Sequence, residues 1–169
     1  MTEPLDTSME GLPEGRLVGR VAFADVIRRT FAKAAEEGWP RMVLCDVDFA
    51  DWPLGEREVV ASLNAWSRRG RSLQLLARDY GLLRQMHPRF VQWRTTWAHL
   101  VEAQACASAP VGELPSVLWS PAWTLQRLDP LRCTMVVSRS GEQRVALQEQ
   151  LQPWWLKSTP AFPASTLGL

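Results

Sequence analysis

The pattern of apolar and polar positions divides the chain into alternating helical and extended pieces. Over residues 21–37 the apolar set Phe23, Val26, Ile27, Phe31 and Ala34 recurs at steps of three and four, with Arg28, Arg29, Lys33 and Glu36 on the other side, which predicts an amphipathic helix. Gly38 ends it and Pro40 blocks its continuation. Residues 41–49 open on Met42, Val43, Leu44 and Cys45, a run too short for a helix and too continuously apolar for a one-sided strand. They predict a buried central strand. After a turn at 51–55, residues 56–69 carry Val59, Val60, Leu63 and Trp66 on one stripe, with acidic residues in the first turn and Arg68 and Arg69 in the last, as the helix dipole favours. Gly70 stops this helix and 72–77 form a second strand, so the three pieces make a right-handed βαβ unit with parallel strands.

Asp79 can cap a third helix bearing Leu82, Leu83 and Met86, which His87-Pro88 interrupts. A second short helical piece follows through Phe90, Trp93, Arg94 and Trp97. Residues 99–106 alternate like a partly exposed strand, and 107–115 are a loop. Three short strands at 116–119, 123–128 and 133–137 read as an antiparallel meander. The last helix, 142–157, is kinked or ended by Pro153. The expected fold class is α/β: a mixed sheet with a parallel βαβ core plus an antiparallel meander, and helices on its faces. The expected organisation is a mobile leader at 1–16, one α/β domain at 17–157, and a Pro-rich tail at 158–169 packed on the domain or a partner.

Composition adjusts this picture in three ways. A length of 169 residues with 46% hydrophobic and 22% charged residues fits one globular domain. The 19 Lys and Arg against 18 Asp and Glu leave a net charge of +1, which argues against a membrane surface and against nucleic acid as a partner. No signal-like start and no apolar stretch of roughly 18 residues is present, so a cytoplasmic location is expected. Cys45, Cys106 and Cys133 are widely spaced and lack metal-finger intervals to His87 or His99, so no metal site is expected. Nine Trp accompany one Tyr and five Phe, an excess that a GC-rich bacterial genome explains in part. Trp119, Trp123, Trp154 and Trp155 are hard to cover together in one chain and suggest a homodimer interface.

The stretch Leu44 to Leu54, LCDVDFADWPL, places Asp46 and Asp48 at the C-terminal end of a central strand, with Asp51 and Trp52 just beyond. Ligands bind at such strand ends in parallel α/β sheets. Strand alternation would put Asp46 and Asp48 on one face, able to hold Mg²⁺ with a phosphate or to divide nucleophile and acid roles. The plainer reading is that these aspartates cap the strand-to-helix turn and pair with arginines. His99, beside Glu102 or a cysteine, is a further acid/base candidate. Trp93, Arg94 and Trp97 could form a stacking platform for a base or a sugar. No GxGxxG, Walker loop or GxSxG elbow occurs.

The DxD at the end of an apolar strand resembles the first motif of haloacid-dehalogenase-type phosphatases, although Phe49-Ala50 stands where that family has Gly-Thr. The order of elements from Val21 to Trp155, with Arg69-Gly70 leading from a helix into a strand, resembles one half of the phospholipase D-like fold. The enzymes of that superfamily carry an HxK motif, whereas PSVLWSPAWTLQRLD here has neither His nor Lys. The resemblance therefore implies a degenerate half-domain without the catalytic nucleophile, in a superfamily whose sites are built from two halves. The WRTTWAH segment and the FPASTLGL ending are also similar to proteobacterial proteins. These features lean away from an enzyme and toward a homodimeric interaction or regulatory module without a cofactor. The alternatives are a Mg²⁺-dependent phosphohydrolase using the DxD, and a nucleic-acid or carbohydrate binder acting through a Trp/Arg surface.

Overall fold

A computed structural model describes residues 11–164. The elements run β1 (Gly15–Val18), α1 (Arg20–Glu37), β2 (Arg41–Cys45), α2 (Arg57–Ser67), β3 (Ser72–Ala77), α3 (Gly81–Met86), α4 (Pro88–Thr96), a 3₁₀ turn (Ala98–Leu100), β4 (Val101–Ala105), β5 (Ser116–Trp119), β6 (Thr124–Asp129), β7 (Thr134–Ser138), α5 (Gly141–Lys157) and β8 (Thr159–Pro160). The strands form one mixed sheet in the order β1-β7-β6-β5-β2-β3-β4-β8. β2, β3 and β4 are parallel neighbours, and the remaining pairings are antiparallel. This is the mixed α/β sheet expected from the sequence, with a parallel core and a meander.

Strand direction decides which face each helix covers. Following the pairings, β1, β2, β3 and β4 all point the same way, and the connections β1-α1-β2, β2-α2-β3 and β3-α3-α4-β4 each step across the sheet in one direction. Crossovers of a common right hand that step one way land on one face. β7 and β8 point the opposite way, so the crossover through α5, stepping in the same direction, lands on the other face. The two cores follow this division. Phe23, Ile27 and Phe31 of α1 and Leu63 and Trp66 of α2 pack with Met42, Leu44, Leu73, Leu75 and Leu118 on the first face. On the second, Leu147 and Leu151 of α5 pack with Val43, Cys45, Leu76, Val117 and Trp119.

Two glycines fix the loop geometry at the N-terminal edge of β2 and β3. Gly38 takes a left-handed conformation (φ 67°) that closes α1, its amide bonding to Ala34 O at 2.8 Å. Gly70 lies so close to Trp66 that a Cβ there would come within 2.2 Å of the indole. The turn is also held by the Arg71 and Ser72 amides, both of which donate to Pro40 O, at 2.9 and 3.2 Å.

Three details depart from the sequence expectations. In the stretch read as a mobile leader, Leu12 is buried and Gly15 and Arg16 open strand β1, while residues 1–10 lie outside the described residues. β2 ends at Cys45 rather than Phe49 because the chain reverses there, with Phe49 at a positive φ of 61°. Pro153 does not end the last helix, since α5 runs unbroken to Lys157 with Pro153 exposed on its surface. The described part of the tail packs on the domain through β8 and through Phe162, which is buried against Tyr80 and Phe90; residues 165–169 lie outside the described residues. Among the described residues no helix is long and apolar enough to cross a membrane.

Candidate functional site

The C-terminal end of β2 is occupied by an internal network. Asp46 is buried, and its Oδ2 accepts from the amides of Phe49 (2.8 Å) and Asp48 (3.3 Å), while Oδ1 accepts from Arg127 Nη2 at 3.0 Å. Arg127 also donates to Ser116 Oγ (3.2 Å) and Asp51 Oδ2 (3.2 Å), and lies 4.4 Å over the Phe23 ring. Burial is the largest influence and works against the Arg127 charge, but the Asp46 carboxylate and Cys133 together outweigh it and hold the guanidinium above its usual pKa. Asp48 turns aside to accept from the Ala50 amide at 2.9 Å, so Asp46 and Asp48 do not present a pair on one face as strand alternation predicted. The physical reason is the early end of β2.

Aromatic side chains fill the space a ligand would need at this strand end. Phe49 and Trp52 are buried edge to face with centroids 5.0 Å apart, and Trp52 also meets Phe23 at 5.6 Å. His87 is buried with Nε2 2.9 Å from Phe49 O, which pins the loop to the start of α4. Burial pushes the Cys45 thiol well above its usual pKa, and the neighbouring Asp46 adds to this, so it is a packed, protonated side chain. Among the described residues no three His, Cys, Asp or Glu side chains gather as a metal site would require.

The other candidate residues are also dispersed. His99 is exposed in the 3₁₀ turn, 6.0 Å from the Trp97 ring, rather than on a strand beside Glu102. Trp93 is buried and donates to Ser67 Oγ at 3.1 Å. Arg94 is buried too, bonding to Phe162 O at 3.1 Å and Ala98 O at 3.3 Å, and burial lowers its pKa. Only Trp97 is partly open, with Nε1 bonded to Asn64 Oδ1 at 3.0 Å. The expected Trp93, Arg94 and Trp97 platform is therefore not assembled, because two of its three members are buried, Arg94 beneath the tail.

What the sequence pattern did not reveal lies beside Trp97. Both α2 and α4 return from the C-terminal ends of parallel strands, so they run side by side in the same direction. Between them Val60, Asn64, Pro88, Arg89, Gln92, Trp93 and Thr96 line an open groove of about 410 Å³. Arg57 and Arg68 extend the Val60 and Asn64 stripe by one turn at either end, at helical spacings of three and four. Arg57 and Arg68 are exposed, Arg89 donates to Gly55 O at 3.0 Å at the upper end, and the groove lining contains no acidic residue. The signal was present in the sequence as local charge. Residues 57–100 hold eight arginines and only two acidic residues, Glu58 and Asp79.

No protein-family profile and no curated protein matches the chain. Among solved structures the chain is similar to TrmBL2, an archaeal chromatin protein whose structure shows a novel mode of DNA binding. The match has a TM-score of 0.63 at 14% identity and covers 90% of this chain and 55% of that one, so the chain spans about half the length of that structure. At this identity the likeness is one of fold.

That finding, with the groove, corrects two expectations. The net charge of +1 had argued against nucleic acid as a partner, and the crowd of indoles had favoured a homodimeric interaction or regulatory module. The same architecture belongs to a DNA-binding protein, and a net charge averages over surfaces that a phosphate backbone never touches. For two of its four residues the indole argument fails on packing as well, while Trp154 and Trp155 are half-buried. Trp119 and Trp123 are 5% and 1% exposed within a single chain, their Nε1 atoms bonded to Arg144 O and Pro13 O, so no partner subunit is needed to cover them.

Proposed function

We propose that this protein binds duplex DNA through the groove between α2 and α4, by contact with phosphates rather than by reading bases. The observation that carries the reading is an acid-free groove with arginines at both ends. It is supported by the fold shared with TrmBL2, an archaeal chromatin protein that binds DNA. Arg57 and Arg68, eleven positions apart along α2, are separated by about 16 Å at the 1.5 Å helical rise. That separation can bridge a major groove about 12 Å wide, with one guanidinium at each bordering phosphate backbone. Between these ends, Asn64 and Gln92 offer neutral donors to sugar and phosphate oxygens.

Binding of this kind is driven by counterion release, so affinity falls steeply with salt. The test is fluorescence anisotropy of a labelled duplex of about 20 bp, titrated across about 50 to 200 mM salt. Replacing Arg57, Arg68 and Arg89 together by Ala is expected to weaken binding and to reduce the slope of log K against log salt by about one for each phosphate left without its arginine. Replacing the distant Arg16 and Arg132 should leave the slope unchanged. The reading is overturned if the wild-type chain shows no binding at the lowest salt, or if the triple variant binds with the parent's affinity and slope.

A further inference from the structure

The opposite face of the sheet carries a second, differently built cavity. Where α5 crosses β2, β3 and β5, a cleft of about 210 Å³ opens between helix and sheet. Its aromatic walls are Trp119 and Trp155, its polar groups are Arg41, Gln74, Gln148 and Gln152, and its floor is aliphatic. Arg41 is the one charged side chain in this lining. Its guanidinium lies over the Trp119 ring at 4.7 Å, and Nη2 is 3.5 Å from Gln74 Oε1, a long separation for a hydrogen bond. Trp119 is itself immobilised by its bond to Arg144 O at 2.9 Å. The carboxylate of Glu102 is engaged by Gln74 Nε2 at 3.4 Å and by Gln104 Nε2 at 3.4 Å rather than by Arg41.

These groups specify a ligand by complement. A half-buried arginine with no carboxylate partner among the described residues requires one negative charge, and its planar donors suit a carboxylate or a phosphate edge. The half-buried Trp155 indole, with Arg41 already lying over Trp119, favours a flat ring. The exposed carboxamides of Gln148 and Gln152 supply neutral donors and acceptors, and the lining holds no competing anion. The volume lies below the roughly 300–1,000 Å³ of sites for drug-sized ligands, which limits the occupant to about one ring. We propose that the cleft between α5 and the sheet binds a small single-ring aromatic anion, with its carboxylate or phosphate on Arg41 and its ring against Trp155.

The site lies across the sheet from the α2/α4 groove, so it stands or falls independently of DNA binding. The test follows tryptophan fluorescence and saturation-transfer NMR on the full chain titrated with benzoate, phenyl phosphate, benzamide and acetate. Saturable binding of benzoate, phenyl phosphate or both below about 10 mM, with benzamide and acetate much weaker, is the expected result, and the ratio of the two anions identifies which acid group is preferred. Arg41→Gln should lower affinity for the ring anions at least about tenfold. Gln148→Trp, a change at the exposed rim, should block the cleft without touching the core. The proposal is overturned if neither ring anion saturates, if benzamide binds as well as benzoate, or if folded Arg41→Gln keeps the parent's affinity. Should Arg41→Gln fail to fold, retained binding by Gln148→Trp overturns it instead.

Discussion

Arg127 of β6 and Asp46, just beyond β2, form a buried ion pair at 3.0 Å across 81 positions of sequence, with side chains only 2% and 3% exposed. The pair joins the parallel half of the sheet to the meander over the intervening strand β5. Both side chains make further bonds: Asp46 caps the reversal at Phe49, and Arg127 reaches Ser116 and Asp51. Removing one partner strands the other charge in the core. Arg127→Ala is therefore expected to lower unfolding free energy by about 3–5 kcal/mol, as read by urea denaturation. Asp46→Asn should also destabilise while leaving DNA affinity of the folded fraction unchanged. A stable Asp46→Asn protein without DNA binding would contradict the structural role.

The groove between α2 and α4 owes its character to the absence of acids as much as to its arginines. Gln92, midway along the groove on α4, is exposed and substitutable. Gln92→Glu should weaken DNA binding at low salt about tenfold, with the difference shrinking as salt screens the added charge. Its melting temperature should match the parent's. Equal affinity of the two proteins across the salt series would count against the groove as the DNA-binding surface.

Arg28 and Glu56 form a two-bond bridge at 2.6 and 2.8 Å, tying α1 to the residue before α2. The hydrogen bond from Arg28 is the main cause that lowers the Glu56 pKa. A carboxyl with a lowered folded pKa stabilises the protein above its unfolded value, about 4.3, and that contribution is lost as pH falls through the folded value below it. Both side chains are about a third exposed, which keeps the effect small. Glu56→Gln should therefore cost less than about 1 kcal/mol at neutral pH, and its stability should converge with the parent's under acid conditions. Denaturation at a series of pH values checks both limits.

Phe162 seats the C-terminal segment. Its ring stacks on Tyr80 at 5.0 Å, Arg84 and Arg94 lie 4.8 and 5.7 Å over it, and its carbonyl accepts from Arg94. Phe162→Ala should reduce stability by about 3 kcal/mol and raise amide exchange in β8 and at the end of α4. Unchanged exchange in α4 would show that the segment is dispensable to Arg94.

Periodicity identified α1, β2, α2 and β3 because each of these pieces buries a stripe that its own sequence spells out. β1 was illegible for the opposite reason: of its four residues GRLV only Leu17 is even partly buried, and it is a strand only because β7 lies beside it. The capping role of Asp46 was within reach of the sequence, since its carboxylate and the Phe49 amide are three residues apart. Its partner Arg127 was not, because no local pattern marks a bond made across the sheet. Arg94 looked available because the residue that covers it, Phe162, lies 68 positions away. The groove is hidden in the net charge of +1, which averages the whole chain rather than one helix face.

The parallel course of α2 and α4 gives the groove a direction. Both helices begin at the end marked by Arg57 and Arg89 and finish at the end marked by Arg68 and Trp97. Their peptide dipoles add, positive at the first end and negative at the second. Arg68 opposes a helix-terminal field while Arg57 reinforces one, so equal side chains present unequal attraction to phosphate. Of the two phosphate backbones that border a major groove laid across α2, the one at Arg57 is therefore held more strongly than the one at Arg68.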